Sequence, residues 1–176
     1  MSQLSALSLS IGILGAIWAY LALGPLSGDV LVWAGFIAWG CYFHTGANTN
    51  ALTKTIVGTA YGAFIGWIAL LIIVNVAMPG LGTAWPAIVV GVTVFFLVIV
   101  ASINLLSVVP ANVYGYAAIV AYSLQTTPPA PATGPLQNLT SGSFANPLIL
   151  LIVSMVIGAL FGLVSNKLSA ALAKKV

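Results

Sequence analysis

A chain of 176 residues that is 61% apolar and only 3% charged cannot coat itself with a water-compatible surface, because soluble domains carry about a quarter charged residues. Its solvent is therefore expected to be lipid. At roughly 20 residues per helical crossing, the length admits six spans with short connections and no separate soluble domain. The formal charge of +3 comes from four lysines against the lone acid Asp29, which is no footprint for nucleic acid, and the lone Cys41 excludes an intrachain disulfide.

The N-terminus, "MSQLSALSLS", lacks the basic region of a cleavable signal peptide, so the first apolar stretch, 4–24, is expected to stay as a span. After "GPLSGD" (24–29) comes a short second span, 30–46. It runs into "CYFHTGANTNALTK" (41–54), where the chain's only histidine and cysteine meet two asparagines and a lysine. A third span covers 51–77, and "MPGLGTAWP" (78–86) leads to a fourth, 85–106. "SVVPAN" (107–112) leads into the fifth, 108–124, which is again short. A long uncharged loop rich in proline, glycine, serine and threonine (125–147) precedes the sixth, 147–170. No stretch alternates apolar with polar residues as a barrel strand would, so the fold class is an all-α integral membrane domain with six transmembrane helices.

The lysines orient it. With an even number of spans, Lys54, Lys167, Lys174 and Lys175 fall on one side, expected to be the cytoplasm together with both termini. Asp29 and the 125–147 loop then face outward, and Trp18, Trp33 and Trp85 fall near outer span ends, as in an aromatic belt. "NLT" at 138–140 fits a glycosylation sequon, a short and weak pattern.

The two halves, about 4–77 and 85–170, align weakly. An offset of 80 sets Gly35 and Tyr42 against Gly115 and Tyr122. An offset of 96 sets Gly58, Gly62 and Gly66 against Ser154, Gly158 and Gly162. Three spans per half would make the repeats inverted. The two small-residue stripes have four-residue spacing, which puts each on one helix face where backbones can approach closely. Packing within the chain is the plainer reading and a homo-oligomer interface the other. Ser8, Gly12 and Ala16 form a weaker stripe.

The inventory of reactive groups is poor. One aspartate, no glutamate, no arginine and one histidine cannot supply a carboxylate pair or a triad with an acidic orienter, so an enzyme is not expected. Cys41 and His44 share a helix face, yet a zinc site needs three or four protein ligands, so neither a metal nor a cofactor is expected. Mid-span ionisable residues, the mark of proton and cation coupling, are missing. The polar groups left suit a neutral solute. They gather beside the second and fifth spans: His44, Thr45, Asn48, Thr49 and Asn50 after one, Ser102, Asn104, Ser107 and Asn112 before the other. Short segments at matching positions of two halves point to a central site. Candidate pore-lining residues are His44, Thr45, Asn48, Asn104, Asn112 and Tyr114, with Gly35 and Gly115 permitting close approach. Against this stands the reading of a headgroup loop, with Asn75, Asn138 and Asn166 on the surface.

"LVWAGFIAWGCYFHTGA" (31–47), "LLSVVPANVYGYAAIVAY" (105–122) and "VIGALFGLVSNKL" (156–168) resemble the YcdZ-like bacterial inner-membrane proteins (DUF1097), a family of unknown function, over most of the chain. The resemblance implies a multi-pass protein of the bacterial inner membrane and carries over no site residue. Against that pattern the 125–147 loop is longer. Two functions follow as expectations. One is a passive channel or facilitator for a small neutral polar solute such as urea, a short amide or a polyol. The other is a scaffold or accessory subunit that holds a membrane partner through its small-residue faces.

Overall fold

A computed structural model of the chain describes residues 1–125 and 134–173; Lys174, Lys175 and part of the long loop lie outside them. The described residues form six α-helices joined by turns and 3₁₀ segments: α1 (Gln3–Leu23), α2 (Val32–His44), α3 (Thr49–Asn75), α4 (Ala84–Ile99), α5 (Val109–Gln125) and α6 (Pro147–Leu172). Among the described residues four apolar segments have the length to cross a bilayer: Gln3–Leu23, Thr49–Asn75, Ala84–Ser102 and Pro147–Leu172. The other two, α2 and α5, are shorter than these segments, although α5 is one residue longer than the α-helical part of α4, which reaches its span length only with its 3₁₀ extension. With 13 residues α2 reaches about 20 Å, and with 17 residues α5 reaches about 25 Å, against a hydrocarbon layer of about 30 Å.

The helix ends are set by local chemistry. Ser2 caps α1 by accepting the Ser5 N–H (3.1 Å). Asn146 caps α6 by accepting the Leu148 N–H (2.9 Å), with Pro147 at the first helical position, where no N–H is needed. Between α2 and α3 the chain reverses in a Schellman turn. Gly46 (φ 111°) takes the left-handed position, and the N–H groups of Gly46 and Ala47 return to Phe43 O and Tyr42 O. Asn48 then starts α3 by accepting the Ala51 N–H at 2.8 Å. Asn48→Ala should lower unfolding stability by about 1 kcal/mol, the usual worth of such a cap. Thermal denaturation in detergent measures it, and an unchanged midpoint would show the cap to be idle.

The fourth helix departs from expectation. Instead of running on to Leu106 it ends at Ile99 and continues as two 3₁₀ turns, Val100–Ser102 and Asn104–Leu106. Carbonyls near its end are taken by other side chains: Tyr61 donates its hydroxyl to Phe96 O (3.0 Å), and Asn112 Nδ2 approaches Leu97 O (3.4 Å). Ser107 bonds back to Asn104 O (2.8 Å), closing the second turn.

The chain divides into two compact units, Met1–Ile56 with the segment from Val153 onward, and Val57–Ile152. Each therefore draws on both halves of the sequence. The first holds α1, α2, the start of α3 and most of α6. Trp18 is wholly buried there and donates to Val32 O (2.9 Å), so it is a core residue and no lipid-facing belt anchor; Trp33 does stay exposed. Phe161 lies 5.6 Å from the Trp18 ring and 5.7 Å from that of Trp39. Polar ties add to the packing: Trp39 donates to Ser165 Oγ (3.0 Å) and Ser10 to Ser165 O (2.9 Å). The second unit holds most of α3, then α4, α5 and residues 134–146. Thr93 and Tyr116 exchange a hydrogen bond (2.9 Å) between α4 and α5, and Trp67 donates to Leu139 O (2.7 Å).

Candidate functional site

Lipid gives apolar helices little reason to associate, so close backbone contact and interhelical hydrogen bonds carry the packing. Both small-residue stripes are used in this way, each inside its own unit. In the first unit α6 lies on α2. Ser154 Oγ accepts the Leu31 N–H (2.8 Å), a Cβ on Gly158 would strike Gly35 O, and a Cβ on Gly162 would lie 3.2 Å from Trp39 and 2.9 Å from Tyr42. In the second unit α3 lies on α5. A Cβ on Gly58 would sit 2.7 Å from the Ala111 Cβ, one on Gly62 would strike Asn112 O, and one on Gly66 would lie 2.6 Å from Ile119. A Cβ on Gly115 would strike Thr59 O in return.

The two crossings correspond pair by pair. Ser154–Leu31 matches Gly58–Ala111, Gly158–Gly35 matches Gly62 over the 112–116 turn around Gly115, and Gly162–Trp39 matches Gly66–Ile119. The offsets are again 96 for the stripe and 80 for the short helix, the same two that align the spans in sequence. The weaker Ser8, Gly12 and Ala16 stripe is different. It is exposed, and a Cβ on Gly12 would meet nothing within 4 Å.

The candidate pore-lining residues divide between the units. His44, Thr45 and Asn48 sit together in the α2–α3 turn of the first. His44 is exposed, Thr45 donates to Cys41 O (2.8 Å), and Asn48 caps α3, so the last two serve the local backbone. Asn104, Asn112 and Tyr114 belong to the second unit. Asn104 and Tyr114 are exposed; Asn112 is wholly buried in the first turn of α5. Its Nδ2 donates to Leu106 O (3.0 Å), tying the α4–α5 connection to α5, while its Oδ1 is buried with no hydrogen-bond partner.

Two groups were missed from sequence. Asn166, expected at the surface, is half-buried and donates to Ala47 O (2.7 Å), fastening the α2–α3 turn to α6. Asn138 is likewise half-buried and donates to Gly134 O (3.2 Å), whereas Asn75 is exposed as expected. The signal for Asn166 was its position one turn beyond Gly162, near the stripe's own face. Cys41 is buried beside Thr55, whose hydroxyl donates to its sulfur (3.8 Å).

The described residues, all-α with four bilayer-length apolar segments and two short helices laid on glycine stripes, have the make-up of a polytopic membrane protein. The chain is a member of the family described as protein of unknown function (DUF1097), matched over residues 8–170. No curated protein and no solved structure matches it.

Proposed function

We propose that the protein is a passive facilitator for a small neutral polar solute, of the urea, short amide or polyol class, in the bacterial inner membrane. In this reading the chain crosses six times as two inverted three-helix repeats, with both termini on the cytoplasmic side. The observation that carries it is the pair of equivalent crossings. In each, a short helix of one half (α2 or α5) rests on the third helix of the other half through positions related by constant offsets. Short helices in matching places of inverted halves are the usual setting for a solute site near the membrane midplane. Helices of about 20 and 25 Å are accommodated by local thinning and by polar flanks at their ends. The scarcity of ionisable groups favours a neutral solute over an ion or a proton-coupled one.

The scaffold alternative relied on the same stripes. Both are buried within their units, so a partner would have to dock elsewhere.

Reconstitution tests the proposal across a panel of solutes. Proteoliposomes exposed to urea, acetamide or glycerol gradients should equilibrate faster than empty liposomes for at least one solute, with the rate unchanged when ion gradients are collapsed. Rates equal to empty liposomes for all three would sink it, and a rate that needs a sodium or proton gradient would replace passive passage with coupling.

A further inference from the structure

Asn112 uses only one end of its amide. Nδ2 donates to Leu106 O at 3.0 Å and approaches Leu97 O at 3.4 Å. Two carbonyl acceptors on that side leave no choice about which end is the amine. Oδ1 points the other way, across the crossing. It is buried without a donor and lies 2.9 Å from the place a Cβ on Gly58 would occupy. A carbonyl without a donor in a lipid-embedded interior is costly, and apolar packing does not call for one. The matching crossing of the first unit carries no such debt. There Ser154 stands in the place of Gly58, and its hydroxyl accepts the Leu31 N–H.

We propose that Asn112 Oδ1 is a hydrogen-bond acceptor for the solute and takes an N–H donor of the urea or primary-amide class, with Gly58 keeping its approach free of a side chain. The inference rests on the facilitator reading and names the solute class at the same crossing. Because Gly58 and Ala111 are in close contact, engagement requires α3 and α5 to part locally at this point. Such an acceptor discriminates by chemistry: a solute that brings a donor satisfies it, and one that does not leaves it bare.

Two variants and two readouts test this. Asn112→Leu removes the acceptor at similar volume. The double variant Gly58→Ala with Ala111→Gly covers Oδ1 with a methyl group while deleting the Cβ it would otherwise strike. Each should lower urea and acetamide permeability of proteoliposomes at least tenfold. In asparagine-labelled protein in bilayers, the ¹³Cγ resonance lost in Asn112→Leu belongs to Asn112. It should shift saturably on titration with urea in the unsubstituted protein and stay still in the double variant. Urea permeability unaffected by both variants, with a motionless resonance, overturns the acceptor and leaves the facilitator standing. A saturable shift in a protein that passes no solute supports the acceptor and overturns the facilitator. No shift and no permeation overturn both.

Discussion

Gly62→Ala should destabilise the protein by about 3 kcal/mol, at the upper end of what overpacking costs. The added methyl group would strike Asn112 O and approach Tyr116 N at 2.9 Å, so the obstacle is backbone, which has no rotamer to move. The two helices would have to separate along their whole contact, losing at once the dispersion that holds them together in lipid. Gly158→Ala should cost a similar amount in the first unit, where its methyl group would strike Gly35 O. Gly91→Ala is the control. Nothing lies within 4 Å of its added Cβ, and in the middle of α4 the change should stabilise by up to about 1 kcal/mol through helix propensity. Unfolding midpoints in a denaturing-detergent titration compare the three; equal midpoints for Gly62→Ala and Gly91→Ala would refute the close crossing.

The second large effect belongs to Trp18. This side chain is wholly buried and reaches across to α2, with its ring atoms 2.7 Å from where a Cβ on Gly35 would sit and its Nε1 on Val32 O. Trp18→Ala should cost about 3 kcal/mol, the low end for an aromatic-to-alanine change, because lipid already solvates apolar groups and the loss is one of contacts and cavity. Trp18→Phe keeps most of the volume and gives up the hydrogen bond, for about 1 kcal/mol. The same titration reads both. A Trp18→Ala midpoint no lower than that of Trp18→Phe would mean the ring is not packed in the core.

Much of this architecture is legible in the chain because lipid simplifies the code. Long apolar runs mark α1, α3 and α6 to within a few residues, and four-residue spacing marks the faces that pack. The shortness of α2 and α5 is visible as well, since Gly46 and Pro110 bound their apolar runs. Features set by distant partners are not legible. Nothing in "VFFLVIVAS" says that α4 stops at Ile99; Tyr61 and Asn112, from helices before and after it, take carbonyls near its end. Trp18 reads as a belt residue because its place near a span end is all that the sequence offers. Its burial depends on Gly35, seventeen positions away on another helix. The polar cluster at 41–54 was ambiguous for a different reason. Asparagine before a helix is both a cap and a candidate pore group, and at Asn48 the cap accounts for the side chain's acceptor. Asn112 looks equivalent in sequence, yet its carbonyl is left without a donor.

In the proposed reading a neutral solute passes through this protein. The most direct measurement is stopped-flow light scattering of proteoliposomes and size-matched empty vesicles after a urea gradient is imposed. Urea permeability should rise in proportion to the amount of protein reconstituted and fall when Gly62→Ala protein is used. A permeability that stays at the bare-lipid value at every protein content would contradict that reading.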